Sequence, residues 1–323
     1  MTANAPTRLS VLLVTYNHAE YVEEAINGVL MQDIDEPFEI VVADDGSTDE
    51  TLTILRLAAS NNPEIHFRFL DSSTNRGITR NYQRAFSACN GDYVAVLEGD
   101  DYWVRPSKLS EQRDFLDGHR ECDLCSANYY VYDENRSQFT PRIAVGPGHV
   151  VFGARELIAD NVVGNFSTCM YRVAALKRIP PAFYEIRSYD WAINICIGRY
   201  GLIGFLKEPM SVYRIHDRGA WSLLSHTAKL KIQLELIPAY DNLTDHVFHQ
   251  DFVVLSEHLI EVIAERQGHP IPDEVLRPEN RMTTASSLYP RALDLVPPIV
   301  IAIGRLIFPP AFRRYLAKLV FKG

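Results

Sequence analysis

Glu98, Asp100 and Asp101 put three carboxylates within four residues. Such neighbours repel one another unless a proton or a cation intervenes. Hard divalent ions take oxygen ligands, and magnesium commonly binds one or two carboxylates together with substrate phosphates. Manganese suits similar donors. A metal–diphosphate site is therefore the chemistry this cluster points to, with a solvated acidic loop as the plain alternative. A second cluster, ADDGSTD, carries Asp44 and Asp45 side by side. Ser47 or Asp49 there is able to cap a following helix. Two adjacent carboxylates exceed what a cap requires, which leaves one to accept hydrogen bonds from a base and a ribose. The third element is Asp190, in RSYDW. A carboxylate is favourable at a helix N-terminus for stability alone, and it also suits a general base within reach of an acceptor hydroxyl.

The elements that must position these groups alternate in type. Leu9–Thr15 is a continuous apolar run of strand length, and residues 38–43, 65–70 and 93–97 repeat the pattern. Helical spacing fills the intervals, first at Val22, Ile26, Val29 and Leu30, then over residues 49–59 and 79–88. This β-α-β alternation predicts an α/β fold with a mainly parallel central sheet flanked by helices. Right-handed crossovers bring the carboxyl ends of such strands to one edge, where ligands bind. Residues 15–17, 44–48 and 98–101 should therefore surround a common crevice. Beyond Trp103 the pattern predicts helices over 108–116, 154–160 and 190–200. Strands are expected over 124–132, 202–206 and 211–215. Residues 225–267 read as mainly helical, and a proline-containing linker follows to 290.

The chain of 323 residues is 47% apolar and 23% charged, which suits a folded protein with a substantial core rather than a disordered one. A net charge of −9 argues against general nucleic-acid binding. Residues 291–323 nevertheless carry +5, leaving −14 on the remainder. A basic, apolar end of this kind suggests contact with an anionic lipid surface. The stretch 295–312 is broken by Arg305 and two Pro-Pro pairs, short of the ~20 apolar residues that a spanning helix wants. An interfacial helix aided by Arg313, Arg314 and Lys318 is the preferred reading, and a helix packed on protein is the other. Cys89, Cys122, Cys125, Cys169 and Cys196 make an odd number without a paired zinc-site spacing, so they read as structural thiols. With no signal-peptide pattern at the N-terminus, the expected setting is the cytoplasm, at the inner face of the cell membrane.

Four stretches resemble family 2 glycosyltransferases, which have the GT-A fold: LLVTYNHAEYVEEAINGVLMQ, IVVADDGSTDET, NRGITRNYQRAFSACNGDYVAVLEGDDYW and, more loosely, YDWAINICIGRYGLIGFLKEPMSVYRIH. Their order and spacing cover most of residues 8–216. The resemblance implies a GT-A catalytic domain over 1–220, with a nucleotide-binding half (8–103) and an acceptor-side half (104–220). A helical extension and linker (221–290) and the basic tail (291–323) follow. It assigns Thr15, Tyr16 and Asn17 to the nucleoside pocket, and Asp45, with Asp44 beside it, to the nucleobase. Arg80 resembles a family arginine near the nucleotide phosphates. Asp100 resembles the ribose-side carboxylate of the DXD motif, Asp101 the metal ligand, and Asp190 the catalytic base. His216 falls where some members supply a further metal ligand or phosphate contact. Two positions depart from the family pattern: Glu98 stands where Asp is more usual, and Tyr189 precedes Asp190 where many relatives have Glu.

The implied reaction moves a sugar from a nucleotide-diphosphate donor, by resemblance a UDP-sugar, to a hydroxyl of a saccharide or lipid-linked saccharide. It uses Mn or Mg and inverts the anomeric centre, in the manner of bacterial surface-polysaccharide assembly. A sugar nucleotidyltransferase would normally carry a glycine- and lysine-rich loop after the first strand. That loop here is Tyr16-Asn17-His18-Ala19-Glu20, with neither residue. A catalytically silent sugar-nucleotide-binding scaffold subunit is the non-enzymatic alternative.

Overall fold

The computed structural model describes residues 8–186, 190–219, 221 and 224–267. Residues up to His216 form one compact unit and those from Asp217 another. The basic tail expected over 291–323 lies outside the described residues.

In the first unit the alternation expected from the sequence holds. β1 (Leu9–Thr15) is buried along its whole length. It pairs in parallel with β2 (Phe38–Asp44) on one side and β4 (Tyr93–Glu98) on the other, and β3 (His66–Phe69) extends the sheet beyond β2. The crossovers are helices α1 (Val22–Leu30), α2 (Thr51–Asn61) and α3 (Ile78–Ala88). Apolar side chains of β1 and β2 meet Val22, Ala25, Ile26 and Val29 of α1 in one core cluster. Burial of each such side chain contributes about 1.5–3 kcal/mol.

The second half of the sheet mixes directions, and that mixing builds the site. β5 (Tyr102–Trp103) is followed by α4 (Lys108–Gly118), β6 (Cys122–Asp133), β7 (Gln138–Pro141) and β8 (His149–Phe152). Then come α5 (Ala154–Ala159), β9 (Met170–Arg172), α6 (Val173–Leu176), α7 (Asp190–Gly198) and β10 (Leu202–Ile215). The strand order is β3-β2-β1-β4-β9-β6-β10-β5, with β7 on β6 and β8 on β10. β9 is antiparallel to both β4 and β6, whereas β10 runs parallel to β6. The two-residue β5 pairs antiparallel with β10, setting Trp103 opposite Ser211. That pairing carries the acidic turn before β5 to the end of β10.

Where the sequence suggested two strands, over 202–206 and 211–215, β10 is one strand with register shifts around Pro209. Proline lacks the N–H a ladder needs and is tolerated at such bulges, so the interruption bends the strand without ending it. Gly28 of α1 lies against β5: an added Cβ would stand 2.8 Å from the Trp103 backbone nitrogen and 2.9 Å from its oxygen. Only glycine lets the helix come this close.

The second unit contains α8 (His226–Leu243) and α9 (His249–Gln267). No helix among the described residues is long and apolar enough to cross a membrane.

Candidate active site

Strand register brings the first site residues together. Thr15 at the end of β1 is the neighbour of Asp44 on β2, and Val14 is the neighbour of Glu98 on β4. The loops leaving these strands are then stitched. Asp45 donates its backbone N–H to the Thr15 carbonyl at 2.9 Å. Asn17, in a left-handed conformation (φ 54°), accepts on Oδ1 from the Thr48 amide at 2.8 Å and donates its own N–H to Ser47 Oγ at 2.8 Å. Gly99 donates to the Val14 carbonyl at 2.8 Å. A Cβ on Gly99 would meet Thr15 Oγ1 at 2.7 Å and His18 Nδ1 at 2.8 Å, so the acidic loop approaches β1 only because this residue has no side chain.

The three carboxylates of this loop are treated differently by the fold. Asp101 is buried; its Oδ2 accepts from Ser167 Oγ at 2.6 Å and its Oδ1 from the Arg214 amide at 3.0 Å. Burial, then the charge of Asp100, pushes its pKa well above the usual carboxylate range. Glu98 accepts from the Tyr82 hydroxyl at 2.9 Å, and burial, Asp100 and Asp101 together push it well up too. Burial works against ionisation of Asp100 as well. There the hydrogen bond from His216 and the facing imidazoles of His18 and His216 outweigh it and hold the carboxyl below its ordinary value. Burial and mutual repulsion thus disfavour charge on Glu98 and Asp101, whereas the facing imidazoles favour it on Asp100.

Asp100 Oδ2 lies 3.3 Å from His216 Nε2 and 3.7 Å from His18 Nε2. Both imidazoles keep a buried Nδ1 without a hydrogen-bond partner, and Thr15 Oγ1 is orphaned in the same way. Buried polar atoms are normally satisfied, and exceptions mark places where something else binds. Burial lowers the pKa of His18, leaving a neutral ring able to offer a lone pair. One carboxylate and imidazole nitrogens are a fitting donor set for a manganese-class divalent ion. Asp101, expected from the sequence as a ligand, has both oxygens turned to protein donors; Asp100 is the carboxylate presented to the histidines.

Arg214 fixes this turn from behind. Besides its amide bond to Asp101, its Nε donates to the Asp100 carbonyl at 3.0 Å. Its guanidinium pairs with Glu24 and Glu134 and lies 5.0 Å from the rings of both Tyr21 and Tyr102. Asp190 opens α7, where Trp191 anchors the helix by donating Nε1–H to the Leu157 carbonyl at 2.8 Å. Burial raises the Asp190 pKa to about 7, moderated by a 3.4 Å hydrogen bond from Asn161 Nδ2. Its charge acts on Glu98, Tyr129 and Tyr171.

The sequence model described as Glycosyl transferase family 2 matches residues 10–198. The chain belongs to glycosyltransferase family 2. Among relatives of this family 2 chain, the uncharacterised Mycobacterium tuberculosis protein Rv1520 is 34% identical over 216 residues. That match covers 66% of this chain and 60% of the relative, so it spans less than two thirds of the mycobacterial protein. An uncharacterised glycosyltransferase of Nostoc sp. is 28% identical, covering 73% of this chain and 74% of its own. Among solved structures, S. aureus TarS 1-349 in complex with UDP-GlcNAc superposes with a TM-score of 0.56 at 18% identity, covering 83% of each chain. That likeness is one of fold, and it bears out the GT-A architecture.

Several residues of this family 2 site differ in setting from the sequence expectation. Asp44 spends its carboxylate on the turn, accepting from the Gly46 amide at 3.1 Å and from both the amide and hydroxyl of Ser47. Asp45 accepts from the Arg76 amide at 2.8 Å and the Gly77 amide at 3.0 Å. Tyr16 is exposed beside them. Arg80 pairs with Glu185 at 2.5 Å on the surface. Arg84, one turn on, reaches the Asp44 carbonyl at 2.6 Å. His18, Ser167, Arg214 and Arg84 escaped the sequence reading. His18 stood in the quoted first block, and Arg214 lies two residues before His216, so proximity to motif residues was the available signal.

Proposed function

We propose that this protein transfers a sugar from a nucleotide-diphosphate donor, of the UDP-sugar kind, to a hydroxyl of a saccharide acceptor. The observation that carries the reading is the ionised Asp100 carboxylate between two imidazoles at the carboxyl edge of the sheet. Thr15, Tyr16 and Asn17 line the donor side with Asp44 and Asp45, the latter two shaping the loop on which a nucleoside would rest. Asp100 and His216, with His18 nearby, would hold a Mn or Mg ion; Asp101 and Glu98 orient the turn. What the bound ion supplies is charge neutralisation on the departing diphosphate, typically worth several kcal/mol. Arg80 and Arg84 bring positive charge to the phosphate side.

Asp190 serves as the general base. It accepts the proton of the acceptor hydroxyl as that oxygen bonds to the anomeric carbon and the carbon–oxygen bond to the nucleotide diphosphate breaks. A single in-line displacement inverts the centre. A base with a pKa near 7 is matched to neutral conditions. A similar protein supports the acceptor class: the putative teichuronic acid biosynthesis glycosyltransferase TuaG of Bacillus subtilis, 32% identical over 121 residues. The reaction would take place in the cytoplasm, at the inner membrane face through 291–323.

The test is a panel of nucleotide diphosphates in a thermal-shift assay, with and without manganese, followed by donor turnover with the matching sugar nucleotides. A metal-dependent shift with one base and release of that nucleotide diphosphate are expected. Binding without any turnover would favour a silent scaffold, and no binding at all would refute the donor site.

A further inference from the structure

The second unit carries a cluster that the glycosyl-transfer reading does not use. Asp241, near the end of α8, and His246 and His249, at the turn into α9, bring one carboxylate oxygen and two imidazole nitrogens within 4.8 Å of one another. Asp241 Oδ2 lies 2.9 Å from His246 Nδ1 and 2.7 Å from His249 Nδ1. The imidazoles are exposed, whereas Asp241 is only 6% exposed and its Oδ1 is buried with no hydrogen-bond partner. Both imidazoles thus sit on Oδ2 while Oδ1 of the same buried carboxylate has nothing to satisfy it, which points to a missing ligand.

The turn is built to hold this arrangement. Thr244 is fully buried and its hydroxyl donates to the Asp241 carbonyl at 3.0 Å, while the His246 amide donates to that same carbonyl at 3.0 Å. Asp245 (φ 49°) and His246 (φ 59°) both adopt left-handed backbone, uncommon for residues with side chains, and this folds His246 back over Asp241. Phe248 and Phe252 are buried below the turn.

We infer that Asp241, His246 and His249 form a second metal site, for zinc or a similar divalent transition ion, that clips the α8–α9 turn. Imidazole nitrogen selects such ions over magnesium or calcium. With bonds of ~2.0–2.1 Å, ligand atoms of a tetrahedral zinc stand roughly 3.3 Å apart. The observed nitrogens need only a small outward rotation, and rings at the surface have room to make it. The fourth position faces solvent, so water completes the site.

The experiment uses the full chain without an affinity tag, stripped of metal and then supplied with zinc chloride or magnesium chloride. Amide hydrogen exchange is followed in peptides spanning residues 241–252, which reads this turn separately from the Asp100 site. Free zinc at about ten times its dissociation constant is expected to slow exchange there about tenfold by mass action, and magnesium is not. In His246→Asn/His249→Asn the zinc effect on these peptides should vanish while the circular dichroism spectrum is unchanged. Should the variant fail to fold, the wild-type comparison of zinc with magnesium still decides. No protection by zinc, or equal protection in the variant, would leave only an aspartate–histidine hydrogen-bond cluster and overturn the site.

Discussion

Asp190 offers the sharpest test, because its predicted role and its environment make separate demands on one pH profile. With a pKa of about 7 set mainly by burial, the carboxyl is the base only above that value. At pH 6 roughly one tenth is ionised, so the rate should fall about tenfold per pH unit on the acid side. Asn161 moderates the shift through a long 3.4 Å hydrogen bond to Asp190. One pKa unit corresponds to about 1.4 kcal/mol, and a hydrogen bond to a charged group contributes about 1.5–3 kcal/mol at good geometry. Asn161→Ala should therefore move the acid limb upward by no more than about one pH unit, leaving the high-pH plateau nearly intact. Asp190→Asn should lose about 10² to 10⁴ in kcat and with it the acid limb. Stability must move the other way. A carboxyl whose native pKa lies above its unfolded value destabilises the fold as pH rises through that interval. Asp190→Asn should thus melt higher than wild type at pH 8 and show little difference near pH 4. Donor turnover across pH 5–9 and parallel melting curves are the assays. An Asp190→Asn enzyme with near-normal rates, or an acid limb indifferent to Asn161, would refute the reasoning.

EDTA should abolish turnover and manganese or magnesium restore it, and His216→Asn should raise the manganese concentration needed for half-maximal rate; full activity in chelator would remove Asp100 and His216 from that role. Ser167→Ala strips a donor from buried Asp101 and an acceptor from the Glu98 amide, costing about 1–3 kcal/mol, which thermal melting would register as a drop of several degrees. Gly99→Ala forces a Cβ onto Thr15 and His18; nucleotide binding by calorimetry should weaken with little change in the circular dichroism spectrum, and unaltered binding would count against the close approach of the two loops.

The fold was legible wherever local pattern and burial agree. The apolar runs at β1, β2 and β4 and the helical spacing of α1 and α3 located those elements to within a residue or two. β10 misled because Pro209 and its charged neighbours look like a break, while a parallel partner, β6, carries the strand through. At the site, the clustering of carboxylates and their convergence at the sheet edge could be read from composition and topology. Which carboxylate the fold favours in its charged form could not. That depends on Ser167, 66 residues away from Asp101, and on Arg214 and His216, which arrive through the β5–β10 pairing. Asp45 shows the same limit: whether its oxygens serve loop amides or a ligand is settled by Arg76 and Gly77, 31 and 32 residues further on.

The upward shifts at Glu98 and Asp101 have a consequence for how a cation would load. Burial and the neighbouring charge of Asp100 make both carboxyls reluctant to ionise, so any cation entering the turn would compete with hydrogen ions for the same acidic groups. Acidification would therefore weaken cation binding at this turn.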